Sequence, residues 1–298
     1  MGGCFGKVIT AMVTPFDQEL KVDLERAVGL ARHLIANGSD ALVVGGTTGE
    51  SPTLTMEEKV TLFQTVKEAV DQQAMIIAGT GSYSTEESVR LSREAEAVGV
   101  DGIMLVVPYY NKPTQEGLYH HFKSIAASTR LPVMLYNVPS RTGRNMEPET
   151  VAKLARVDNV KAIKEAAGDM DQVSHLQRVI SPEFDIYSGD DSLTLPMLAL
   201  GATGVVSVAS HLVGARIQEM ISAFQSGNHR KALEIHLGLM PLFKALFTVS
   251  NPIPVKAALN LSGIQVGGVR LPLVNAGPGE ISLLREALSL VGISVTTA

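Results

Sequence analysis

The chain has no tryptophan, a single cysteine (Cys4) and few aromatics, 5% of 298 residues. One cysteine excludes an intrachain disulfide framework and points to a reducing cytosol as the expected compartment. Runs of lysine or arginine are also missing, and the formal net charge is −5. Nucleic acid and anionic membrane are therefore not expected partners. No apolar stretch reaches the roughly 18 residues of a membrane span. The start, MGGCFGKVIT, lacks the apolar run of a signal peptide. Gly6 stands where an acylation motif beginning Met-Gly needs Ser or Thr, so neither segment is expected. The 7 histidines are scattered. Without an H-E-x-x-H or a His/Cys cluster, a zinc site lacks ligands, and no metal is expected. Walker A and G-x-S-x-G motifs are absent too.

Hydrophobic residues are plentiful, at 45%, enough for a full core. They fall into short runs at fairly regular intervals: KVITAMV from Lys7, ALVVGG from Ala41, AMIIAG from Ala74 and DGIMLVV from Asp101. PVMLYNV from Pro132, VKAIK from Val160, FDIYSG from Phe184 and TGVVSV from Thr203 follow. Most are continuously apolar, as strands covered on both faces are. Helical patterns separate them. Asp23 opens one that closes on Gly38, Thr55-x-x-Glu58 and Ser84-x-x-Glu87 read as capping boxes, and EPETVAKLARV and DMDQVSHLQRVI follow suit. Eight strand–helix units predict an α/β fold, a (β/α)8 TIM barrel over residues 1–227, with a C-terminal helical domain over 228–298. An open doubly wound sheet is the alternative, but no G-x-G-x-x-G follows any run.

Chemistry in such a barrel collects where strands end. The second run ends in GGTTGES, with Thr47 and Thr48, and the fourth in PYYNKP, with Tyr109 and Tyr110. The fifth ends in YNVPSRTG, with Tyr136 and Arg141, the sixth in Lys164, and the seventh in SGDD, with Gly189. Each has an ordinary reading: a solvated lysine, a βα turn, a packed tyrosine, a helix cap. Lys161, Asp190 and Asp191 are left with theirs, the two aspartates as N-caps. Together the others suit imine chemistry. A buried lysine loses its charge more readily than the free amine of pKa about 10.4, and its neutral form attacks a ketone. Phenol and hydroxyl groups can pass protons, and arginine offers a planar fork to a carboxylate.

GGTTGESPTL, PYYNKPTQEGLYHHF, YNVPSRTG, IKEAAGD and YSGDD, in this order, resemble the dihydrodipicolinate synthase family of pyruvate-dependent class I aldolases. The likeness runs from Gly6 to Gly292. It implies a Schiff base between pyruvate and Lys164, with no separate cofactor, and condensation with aspartate semialdehyde to 4-hydroxy-tetrahydrodipicolinate in lysine and diaminopimelate synthesis. It also implies proton transfer through Tyr136, Thr47 and Tyr110. Thr48 takes the pyruvate carboxylate, Arg141 the semialdehyde carboxylate, and Gly189 and Val206 line the pocket. Tyr110 is expected from a neighbouring subunit of a homotetramer, a dimer of dimers.

Alternatives are a keto-deoxy sugar acid aldolase or N-acetylneuraminate lyase of the same superfamily, and a non-catalytic pyruvate-binding regulatory protein. Arg141 stands where a polyol substrate needs other polar groups, and the full set of reactive side chains argues against a silent protein. In lysine-inhibited relatives the effector cleft corresponds to Ser51, Pro52, Lys59, Tyr83, Glu87 and Tyr109. Lys59 and Tyr83 replace a histidine and an asparagine of that cleft, so weak or absent inhibition by lysine is expected.

Overall fold

A computed structural model describes residues 3–295. Met1 and Gly2 of the acylation-like start, and the last three residues of the expected helical segment, lie outside the described residues. The strands are β1 Val8–Ala11, β2 Ala41–Val44, β3 Met75–Gly79, β4 Gly102–Val106, β5 Val133–Asn137, β6 Val160–Glu165, β7 Asp185–Ser188 and β8 Gly204–Ser207. Each lies inside one of the apolar runs, except that β6 continues one residue past its run, to Glu165. All pair in parallel with their neighbours in order, and β8 returns to β1 through Val8↔Val205 and Ile9↔Val206. The barrel is closed, which rules out the open sheet.

Both faces of the strands are covered, so their apolar character is continuous. Met134, Tyr136, Ala162 and Val206 face the barrel interior together with Phe5 and Ile9. Val133, Leu135, Ile163 and Val205 face outward into a larger apolar layer under the helices. Alternation along a strand thus decides which side chains reach the interior. On β6 it sends Ala162 inward and Ile163 outward, and it leaves Lys161 exposed.

Local signals set the helices. Asp23 caps Leu24–Ala36 by accepting from the Arg26 N–H, and Gly38 follows with φ 95°. Thr55 and Glu58 form a complete capping box. Ser84 and Glu87 form half of one: Ser84 accepts from the Glu87 N–H at 3.3 Å, but the Glu87 carboxylate accepts from Ser82 Oγ at 2.7 Å. After β8 and its helix Ser210–Gln225 come His229–Ala245, Ile253–Leu261 and Pro278–Leu290. Leu239, Leu242 and Leu284 from these helices are fully buried in the same layer that covers the outside of the barrel. Among the described residues no helix is long and apolar enough to cross a membrane.

Candidate active site

Lys164 stands near the C-terminal end of β6, in register with Tyr136 on β5. Ala162 already faces inward, so two residues later Lys164 does as well. It is 5% exposed, and its Nζ lies 4.3 Å from the centroid of the Tyr136 ring. Among the described residues it forms no salt bridge. Burial pulls its pKa down to about 8; Asp191 and Asp190 pull upward against this, and Arg141 pushes it lower. The amine is therefore far closer to its neutral, nucleophilic form at pH 7 than a surface lysine.

The chain around Lys164 holds it in place. The next residue, Glu165, is buried, and its carboxylate accepts from Asn137 Nδ2 (3.1 Å), Gln172 Nε2 (3.0 Å) and the Ala167 N–H (2.7 Å). This fixes the end of β6 to β5 and to the following helix. Gly189, after β7, leaves room: a Cβ there would lie 2.6 Å from the Ala166 Cβ and 3.2 Å from Lys164 Cε. Any larger residue would clash with Ala166 and press on the lysine side chain.

Tyr136, Thr47 and Arg141 line a cavity of about 210 Å³ together with Gly46, Met104, Val138 and Tyr109. Its size suits a small keto acid rather than a large ligand. Burial raises the Tyr136 pKa, while Arg141 and the Thr47 hydroxyl favour the phenolate and pull it down. A phenol balanced in this way can give and regain a proton. Arg141 is exposed at the mouth, and its Nη2 donates to the Asn251 carbonyl at 3.4 Å. Val206 is buried inside β8. Thr48 is 3% exposed and accepts a hydrogen bond from Asn251 Nδ2 at 2.9 Å.

One aspect departs from the expectations. Asp190 is the N-cap of the short turn after β7, accepting from the Ser192 N–H at 2.8 Å. Asp191 is not a cap: it is 2% exposed and accepts from Ser207 Oγ, the Val208 N–H (3.0 Å) and the Ala209 N–H (2.9 Å). It ties the end of β7 to the end of β8 and places a buried carboxylate near enough to act on Lys164. Tyr110 does not join its own chain's cavity. It is 93% exposed, with φ 72°.

Sequence reasoning also passed over Asn251, Glu50, Lys256 and Arg270. Lys256 Nζ donates to Glu50 Oε1 at 2.7 Å and to the Gly268 carbonyl at 2.6 Å, and Glu50 Oε2 accepts from the Arg270 N–H at 2.9 Å. Arg270 also pairs with Glu58 through two bonds of 2.8 and 2.6 Å. These contacts clamp the GGTTGES loop to the chain beyond the barrel. A glutamate at the end of a threonine-rich turn and the compact NPIPVK segment are the only sequence signals for them.

A parallel eight-stranded barrel whose sixth strand presents a buried amine at its mouth defines an enzyme of the class I aldolase type. The sequence profile of the Dihydrodipicolinate synthetase family matches residues 4–289, and the chain belongs to that family. The 4-hydroxy-tetrahydrodipicolinate synthase of Desulforamulus reducens is 60% identical over 286 residues, covering 96% of this chain and 97% of the relative. The crystal structure of the dihydrodipicolinate synthase of Cyanidioschyzon merolae, with lysine bound, superposes with a TM-score of 0.96 at 51% identity, covering 98% of this chain and 99% of that one. A monomeric dihydrodipicolinate synthase variant superposes with a TM-score of 0.95 at 44% identity, over 97% and 98% of the two chains.

Proposed function

We propose that this chain condenses pyruvate with aspartate semialdehyde to give 4-hydroxy-tetrahydrodipicolinate, a step of lysine and diaminopimelate synthesis. The observation that carries this is the buried Lys164 amine, without an ion-pair partner among the described residues, 4.3 Å from the centroid of the Tyr136 ring. In this reading neutral Lys164 adds to the pyruvate carbonyl carbon. Tyr136 supplies the proton with which the carbinol oxygen leaves as water, and the imine forms. Loss of a methyl proton gives an enamine, whose carbon bonds to the aldehyde carbon while the aldehyde oxygen takes up a proton. The amine of the semialdehyde then attacks the imine carbon, closes the ring and expels Lys164.

Thr47 orients the Tyr136 hydroxyl, Thr48 donates to the pyruvate carboxylate, and Arg141 at the mouth holds the carboxylate of the second substrate. Gly189 and Val206 shape the wall around the imine. In this reading Tyr110 serves the cavity of a second copy in a dimer of dimers, which its exposure on its own chain supports. The lone cysteine fits a cytoplasmic enzyme.

Borohydride trapping followed by a two-substrate comparison tests the reading. Pyruvate is expected to add covalently to the peptide that holds Lys164, and the semialdehyde to be consumed far faster than keto-deoxygluconate or sialic acid is cleaved. An adduct on Lys161, or no adduct, defeats the imine assignment. Preference for a sugar acid moves the chain to another substrate class.

Tyr136→Phe keeps the ring beneath the amine and removes only the proton carrier. Its kcat is expected to fall by about 10²–10³, as for loss of a general acid–base group, while circular dichroism stays that of the parent. A rate close to the parent's would remove the relay role.

Lysine inhibition is expected to be weak or absent. Lys59 is partly buried, and burial lowers its pKa while the nearby Glu87 carboxylate favours its ammonium form. Tyr83 packs edge-on against Tyr109, with ring centroids 5.3 Å apart. A resident cation and two phenols leave little attraction for another ammonium group. Initial rates with millimolar lysine check this, and half-inhibition below about 1 mM would contradict it.

A further inference from the structure

The barrel supplies the reacting groups, yet a residue from beyond it touches two of them. Asn251 is 6% exposed and precedes the helix Ile253–Leu261. Its side-chain amide donates to Thr48 Oγ1 at 2.9 Å, and its backbone carbonyl accepts from Arg141 Nη2 at 3.4 Å. The segment that carries it is fixed to the same loop as Thr48 by the Lys256–Glu50 pair, only 2% and 1% exposed.

We propose that Asn251 is a positioning residue for the keto acid: its amide holds Thr48 as the hydrogen-bond donor to the pyruvate carboxylate. This rests on the reading of Thr48 given above. A hydroxyl has one proton and accepts as well as donates. An amide N–H can only donate, so Thr48 Oγ1 is the acceptor in that contact, and its own proton stays available. A carboxylate only accepts. With Asn251 as its donor, the Thr48 hydroxyl keeps its proton free to be given to a carboxylate. Among the described residues the remaining Asn251 Oδ1 is buried without a partner, and Thr48 is the polar neighbour that the amide meets. An acceptor in place of the amide would take the Thr48 proton for itself.

The side chain acts on the keto-acid end alone, since the carbonyl that meets Arg141 is backbone and survives substitution. That gives a split that a merely structural role would not produce. Asn251→Ala and the isosteric Asn251→Asp are to be compared with the parent, Thr48→Val and the double variant Asn251→Ala/Thr48→Val. The readouts are the pyruvate concentration that half-saturates borohydride trapping, the Michaelis constants of both substrates, and the melting temperature.

Half-saturation by pyruvate is expected to rise about tenfold in Asn251→Ala, the loss of one bond to a charged group, and further in Asn251→Asp. The Michaelis constant for the semialdehyde should stay near the parent's. In the Thr48→Val background the Asn251→Ala change should add nothing, because residues that act through one another are not additive. Additive effects, equal changes for both substrates, or unfolding of both single variants would make Asn251 structural and overturn the proposal. Absence of any adduct in the parent enzyme would instead sink the reading of Lys164, a distinct result.

Discussion

Replacing Lys164 by methionine is expected to abolish turnover and to raise the melting temperature at pH 7. The first effect follows from chemistry: methionine has no amine, and removing a covalent nucleophile costs at least about 10⁴ in rate. The second follows from the cost of burying that amine. The Lys164 pKa falls from 10.5 to about 8 on folding, so the unfolded chain binds this proton more tightly than the folded one. Below about pH 8 both forms are protonated and the wild type carries the full penalty, about 3 kcal/mol. Between about pH 8 and 10.5 the unfolded chain holds the extra proton, so wild-type stability rises with pH and the penalty fades.

Methionine fills similar space without charge, so its advantage should be about 5–10 °C at pH 7 and shrink towards pH 10. The same titration shapes catalysis. The wild-type kcat/KM for pyruvate should climb with pH and level off above about 8, as the neutral amine becomes the major form. Thermal melts and initial rates across this range decide the matter. A Lys164→Met protein that melts with the parent at pH 7 would mean that the amine carries no desolvation cost. Retained turnover would place the nucleophile elsewhere.

How much of this was readable beforehand depended on distance along the chain. The strands were legible because a parallel barrel buries both faces of each one, and four or five consecutive apolar residues show it. Lys164 and Lys161 were separable only through the barrel, whose alternation turns one inward and leaves the other exposed. Thr47, Tyr136 and Arg141 were found because strand ends converge on one rim, and the order of the motifs carried their roles. Asp191 was misread because an acidic pair after a strand has the local pattern of a cap. Its real partners, Ser207 to Ala209, belong to the next strand and turn. Asn251 and Lys256 lie 203 and 206 residues from Thr48 and Glu50. No periodicity or spacing rule reaches that far. Tyr110 shows another limit, since what an exposed phenol serves is not written in one chain's contacts.

The Lys256–Glu50 pair carries the second large effect. Lys256→Met should lower stability by about 3–5 kcal/mol, the cost of leaving a buried carboxylate without its cation. Glu50 has φ 58°, left-handed backbone that favours glycine. Its carboxylate is held by Lys256 Nζ at 2.7 Å and the Arg270 N–H at 2.9 Å. Lys256 Nζ in turn lies 4.0 Å from the centroid of the Phe16 ring, a contact that methionine keeps in part. Without the ammonium, one oxygen of Glu50 loses its charge partner inside the core, and the strained turn loses the contact that justified it. The melting temperature should drop by about 10 °C. Because Thr47 and Thr48 share that turn, half-saturation by pyruvate should worsen in the protein that remains folded. Glu50→Gln removes the charge without the shape, so the double variant Glu50→Gln/Lys256→Met should recover part of the loss. Urea titrations of the four proteins give the coupling energy directly. A Lys256→Met protein within about 1 kcal/mol of the parent would show that the turn is held by backbone packing instead. A double variant no better than the single one would show that the lysine acts through Phe16 and Gly268 rather than through Glu50.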